Sequence, residues 1–135
     1  QAQRLFSPQR SKVCEVKEKI KMQVNDFFNT AGTDRNRQVV CADGFTMSVQ
    51  AHQGAYCEPR ISGAPKYTHV EVGFPSERED LLIQFAEEPD KPTQTVYGWV
   101  PVQTVTNVLA KHGGIVDGEV PFGVAPIPAN FVADE

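Results

Sequence analysis

The dipeptide Asp43-Gly44 constrains the fold of this chain more than any other feature, because it separates two strand-like runs, residues 38–42 and 45–51. A pair suited to positive φ between alternating apolar residues predicts a tight β-hairpin, and with it antiparallel pairing. Strand side chains alternate between faces, so Phe45, Met47, Val49 and Ala51 share one side of the second run, and Thr46, Ser48 and Gln50 the other. A third strand over 67–74 puts Thr68, Val70, Val72 and Phe74 inward and Tyr67, His69 and Glu71 outward. A fourth over 93–100 puts Val96 and Val100 inward and Thr95, Tyr97 and Trp99 outward.

Three segments carry a helical period instead. Val13, Val16, Ile20, Val24, Phe27 and Phe28 recur at steps of three and four and predict a helix from Lys12 that ends near Gly32. Ser76 followed by Glu79 has the capping-box spacing and predicts a helix to about Glu88, with Leu81, Leu82, Phe85 and Ala86 inward and Pro89 as its stop. The last helix is expected over 102–112, opened by Pro101, closed by Gly113-Gly114, and buried through Val105, Val108 and Leu109. In its final turn His112 is expected as a cation opposite the negative helix end. Together these predict an α+β fold: an antiparallel-rich sheet of about four strands with helices packed on one face, a two-layer sandwich.

The 135 residues support one core. Residues 1–21 read as a basic N-terminal extension and the start of the first helix, 22–120 as the single α+β domain, and 121–135, with Pro121, Pro126 and Pro128, as an extended tail. Between the second and third strands, 52–65 is rich in Gly and Pro and is a loop of unusual length, often a mark of function. Charged residues at 22% and apolar residues at 40% exclude wholesale disorder and a disulfide-dense scaffold. No apolar run approaches the roughly 20 residues that cross a bilayer, so no membrane partner is expected.

The net charge of −4 hides an asymmetry, six Lys/Arg against two Glu in residues 1–21 and seven against fifteen acids thereafter. The acidic body argues against nucleic acid as a partner, since phosphate contacts need clustered bases. The crowd of Glu77, Glu79, Asp80, Glu87, Glu88 and Asp90 reads as a solvated helix face, with mimicry of nucleic acid as the sharper alternative. Cys14, Cys41 and Cys57 allow at most one bridge.

If the strands are neighbours, the uncovered sheet face and the long loop gather Gln50, Tyr56, Arg60, Tyr67, His69, Glu71, Tyr97 and Trp99 into a candidate ligand- or partner-binding site. Aromatic rings with polar tips suit a flat ligand or a protein partner. Burial of this face by the first helix or a second subunit is the structural alternative, and a homo-oligomer is thus a further expectation. A catalytic reading centres on Cys57 as a thiolate with His69 and Glu71 as base and orienting carboxylate, although the spacing matches no nucleophile signature. Cys41, His52, Cys57 and His69 include ligands of the type zinc takes, without the paired short spacing of zinc modules. Neither a cofactor nor a catalytic or metal-binding residue is assigned, since no phosphate loop, GxGxxG, HExxH or GxSxG occurs.

The segments DGFTMSVQA (43–51), AYCEPR (55–60), VEVGFPSEREDLL (70–82), TVYGWVP (95–101) and KHGG (111–114) together resemble small uncharacterised proteins encoded by phages and prophages. The resemblance covers about residues 22–120. It implies a small accessory protein of the bacterial host cytoplasm that works by binding a host protein or a small-molecule ligand, and it transfers no catalytic residue. A structural virion component is a third class, tied to a Pro-rich tail that crosses to a neighbouring subunit. Lys17-Glu18 can be encoded by a ribosome-binding sequence at a suitable distance from Met22, which makes Met22 a candidate start. The unbroken apolar period from Val13 to Phe28 argues that the preceding segment belongs to the first helix.

Overall fold

A computed structural model describes residues 27–29 and 35–129. The predicted helix from Lys12 falls almost wholly outside the described residues, as do Cys14 and Met22. Where the expected helix reaches Phe28 the chain is extended, in a parallel bridge with Val120 whose N–H donates to the Phe27 carbonyl at 2.8 Å.

The strands are β1 (Val39–Cys41), β2 (Thr46–Gln50), β3 (His69–Gly73), β4 (Val96–Pro101) and β5 (Ile115–Asp117), in the order β4-β3-β2-β1-β5 with every pairing antiparallel. The predicted hairpin forms, with Val39 opposite Met47. Its loop is one residue longer than a two-residue turn. Gly44 N–H donates to the Cys41 carbonyl at 3.0 Å, Cys41 N–H donates to the Phe45 carbonyl at 2.8 Å, and of the pair only Gly44 has positive φ, +95°. That is a turn closed by a glycine bulge, in which Asp43 is free to use its carboxylate.

The sheet has five strands where about four were expected. The addition is β5, three residues after the last helix for which no strand was expected, which return to the free edge of β1. Both outer edges are covered by irregular chain, which blunts edge-to-edge association. Ala86 bridges Tyr97 on β4, and Ile115 of β5 bridges Pro128.

One α-helix lies among the described residues, α1 (Val102–Lys111), and it buries Val105, Val108 and Leu109 as the period predicts. These side chains join Val39, Met47, Val49, Val70, Val72, Leu82, Tyr97 and Val100 in one continuous core. The fold is therefore α+β with an antiparallel sheet and one described helix.

The helix expected over 76–88 does not form. The segment is a series of turns with a single 3-10 turn, Ile83–Phe85. Ser76 caps nothing there: its hydroxyl accepts from the N–H of Thr46 at 3.0 Å, and its own N–H donates to the Thr46 carbonyl at 2.8 Å. Glu79 is drawn into the interior at 1% exposure, where a solvated helix face would leave it in water. Tertiary partners of a buried charge outweigh a local cap of about 1 kcal/mol.

Candidate functional site

β4 turns inward a different set of side chains from the set expected, and the cause is a bulge. Val70 pairs with Val100 and Val72 with Tyr97, so β4 spends one more residue than β3 over the same span. The extra residue breaks the period of two. Tyr97 consequently lies on the same face as Val72 and Val100, fully buried, with its hydroxyl donating to the Pro92 carbonyl at 2.5 Å. Thr95 is buried as well, and Val96, expected inward, is only half-buried. Trp99 does face outward, 50% exposed, with φ at +50°.

Tyr67 is also buried rather than outward, and Thr68 is exposed rather than inward. Both precede β3, so the strand alternation does not reach them. The Tyr67 hydroxyl donates to the Ile61 carbonyl at 2.6 Å and accepts the Ala64 N–H at 3.2 Å, which anchors the long loop. At the other end of β3, Phe74 is 56% exposed with φ at +48°, and this left-handed residue reverses the inward position expected for it.

Gln50 lies on the predicted face but is buried by chain from before β1. Its amide oxygen accepts the Asn36 N–H at 2.7 Å and its amide nitrogen donates to the Asn36 carbonyl at 3.0 Å. It is a cross-link and presents no free group. His69 is half-buried and shares a hydrogen bond of 2.9 Å with the Thr68 hydroxyl. Of the eight predicted site residues, the structure brings together Tyr56, Arg60, Glu71 and Trp99.

These four are assembled by the long loop and the bulge. The Trp99 N–H donates to the Tyr56 carbonyl at 3.0 Å, and the two rings stack with centroids 4.9 Å apart. Gly98 permits the approach, because a Cβ there would stand 3.3 Å from the Cβ of Tyr56. The Arg60 guanidinium lies over the Tyr56 ring, 5.5 Å from its centroid. Under this shelf is a pocket of about 340 Å³ lined by Tyr56, Phe85, Glu87, Gly98 and Trp99. Burial pushes the Glu71 carboxyl up, and the negative charge of Glu87 adds to the rise, against the opposing pull of His52, Arg60 and the Tyr56 N–H. Phe85 and Glu87 were not among the candidates. The helical period places Phe85 in a helix core, and only the acidity of its neighbourhood points outward.

A second cavity of about 700 Å³ lies beside β2 and is lined by Arg35, Asn36, Arg37, Gln38, Ser48, Gly73 and Phe74. Arg37 is engaged at its rim, in ion pairs with Asp117 at 2.9 Å and Glu119 at 3.6 Å.

The thiol and zinc alternatives meet different surroundings from those they require. Cys57 is buried, donates to the carbonyls of His52 and Pro59 at 3.3 and 3.4 Å, and has its pKa raised by burial. A thiol shifted upward forms less thiolate at neutral pH. Among the described residues no three His, Cys, Asp or Glu side chains are gathered as metal ligands.

Sequence reasoning missed a buried charge cluster. His112 is buried and stacked on Phe45 at 4.0 Å between centroids, with Nδ1 2.6 Å from Asp43 Oδ2 and Nε2 2.6 Å from Glu79 Oε1. Glu79 Oε2 accepts from Lys111 Nζ at 2.8 Å and from the Leu81 N–H at 3.0 Å. A carboxylate at each ring nitrogen requires both nitrogens to donate, so His112 is an imidazolium. Burial pulls its pKa down, but the bonds to Glu79 and Asp43 prevail and the pKa is raised. Two anions and two cations then cancel. Each Glu79 oxygen already has a partner, and the cluster is a staple between the hairpin turn, the 76–82 segment and the end of α1.

Among the described residues no helix is long and apolar enough to cross a membrane. Compared with protein families, curated proteins and solved structures, the chain matches none.

Proposed function

We propose that this protein is a binding module whose site is the Tyr56–Trp99 shelf and the pocket beneath it. The observation that carries the reading is Trp99 itself. A bulky residue at positive φ costs about 1–2 kcal/mol, and such strain persists where a site needs the side chain in that direction. Here it holds a large apolar ring half in water, on a second aromatic, at the mouth of a pocket. The buried, unactivated thiol of Cys57 favours this reading over thiol chemistry. A partner in a bacterial host cytoplasm, either a host protein or a small ligand, is the occupant that the phage-type resemblance suggests. In a two-layer arrangement α1 would cover the inner sheet face and leave the bulge and long loop open for it.

The test is a residue-resolved amide spectrum titrated with a panel of small aromatic, saccharide and charged compounds. Shifts clustered at Tyr56, Phe85, Glu87, Gly98 and Trp99 are the expected result. A panel that leaves these amides unmoved, or moves only the cavity beside β2, overturns the proposal.

A further inference from the structure

The pocket under Trp99 has a sign as well as a shape. Its lining carries one charged group, Glu87, and the half-buried Glu71 lies close enough to feel that charge. Among the described residues Glu87 makes no ion pair and its side chain no hydrogen bond. Glu71 faces His52 and Arg60 and its carboxyl is raised chiefly by burial, so Glu87 is the charge that the pocket itself presents. The other walls are the rings of Tyr56, Phe85 and Trp99, whose faces are negative through their quadrupoles. An aromatic wall with an adjacent unpaired carboxylate attracts a cation from two sides, by cation–π contact and by direct charge. The protein already makes the first of these contacts within itself, with Arg60 over Tyr56.

We propose, on the reading of the shelf as a binding site, that its ligand is an organic cation, an ammonium or guanidinium head seated between the Trp99 ring and the Glu87 carboxylate. An anionic head would meet Glu87 without a compensating cation in the lining. A neutral flat ligand would gain the stacking and leave the carboxylate unpaired. The volume of about 340 Å³ suits a small head group with a short alkyl stem.

Trp99 is the chain's one tryptophan, so fluorescence excited at the red edge, where the three tyrosines do not absorb, reports this site alone. The full chain is titrated with n-butylammonium, n-butylguanidinium, the neutral n-pentanol and the anionic butyrate, and with N-acetyl-lysine amide as the same head on a protein side chain. The cations are expected to give a saturable response about tenfold tighter than n-pentanol, with butyrate silent. Glu87→Gln, a substitution at an exposed position, should remove most of that preference and leave the n-pentanol response in place. Raising salt from about 50 mM to about 500 mM should weaken the cations alone. Tighter binding of the capped lysine than of butylammonium assigns the head to a protein partner, and the reverse assigns it to a free amine. Equal responses to cation and alcohol, or a preference untouched by Glu87→Gln, overturn the cation while the pocket stands. Silence of Trp99 toward every probe, with unmoved amides around it, overturns the pocket as well.

Discussion

His112 sits between two carboxylates, and its protonation is therefore part of what holds the fold. Its pKa is raised above the ordinary 6.5, so the stability it contributes is fully present below that value and is lost as pH rises through the folded pKa. Glu79 is affected first by burial, which raises it, but hydrogen bonds from Lys111, the Leu81 N–H and His112 hold it below its ordinary 4.5. Asp43 is held below 3.8, chiefly by the Phe45 N–H. Their contributions are present above those ordinary values and fade as pH falls through the folded ones. The contribution of this cluster should therefore be flat between about 4.5 and 6.5 and decline on both sides, while the raised Glu71 carboxyl superimposes a fall in stability as pH rises from about 4.5. His112→Ala, which leaves Glu79 buried with one cation fewer, should cost about 3 kcal/mol in urea unfolding at pH 6. The difference from the parent should narrow as pH climbs past the folded pKa of His112. A difference that is constant across pH would show that the ring acts through its stack on Phe45 and not through its charge. The described thiols make a second test at this scale. Burial pushes Cys41 up to about 12 and also raises Cys57, so peptide mapping after alkylation at pH 8 should find both unlabelled until the protein is unfolded. Rapid labelling of Cys57 in the native protein would revive the thiol alternative.

The strand is the scale at which the sequence was both legible and misleading. Asp43-Gly44 gave away the hairpin because a turn glycine is a local requirement, and Val105, Val108 and Leu109 gave away α1 because its period is unbroken. The assignment of Tyr97 failed because a bulge is a property of two paired strands, and TVYGWVP alternates as well without one as with one. Gly98 was the sole local hint, since a glycine inside a strand often marks a bulge or a close backbone approach. Residues 76–88 misled for a related reason. Leu82 is buried as the helical period predicts, whereas Leu81, expected inward, is exposed, because the segment is drawn out of a helix by the partners of the buried Glu79. Of the candidate site, the outward Trp99 and its loop neighbours could be read from the sequence, whereas Glu87 needed the fold. The bulge also separates structure from function. Trp99→Gly relieves a positive φ that costs about 1–2 kcal/mol and gives up a half-exposed stack of similar worth, so thermal unfolding followed by circular dichroism should move little. The same substitution should abolish the amide shifts at Tyr56 and Phe85 on titration. A loss of several kcal/mol would mean that the ring is a structural cover for the bulge.

At the scale of the whole molecule the chain beyond β5 closes what the meander leaves open. Val120, Val124, Pro126 and Pro128 are buried, the Ile115 N–H donates to the Ile127 carbonyl at 2.7 Å, and the Tyr67 N–H donates to Phe122 at 2.8 Å. This segment therefore covers the β5 edge and pins the long loop at Tyr67 in one stroke. Its fit depends on Gly123, where φ is +115° and a Cβ would stand 2.2 Å from the Tyr67 carbonyl oxygen. Gly44 is the matched control, with φ at +95° and nothing within 4 Å of the same position. Gly44→Ala should then cost backbone strain alone, about 1–2 kcal/mol. Gly123→Ala adds a backbone clash that no rotamer can relieve and should cost at least about 3 kcal/mol by urea midpoint. The variants should also differ in kind. Release of the segment bares the N–H and C=O groups along β5, and an open edge recruits other strands. Sedimentation of Gly123→Ala should accordingly show association that grows with protein concentration, under conditions where Gly44→Ala and the parent sediment alike. Equal losses in the two variants, with no association in either, would mean that the segment yields at Gly123 without leaving the sheet edge.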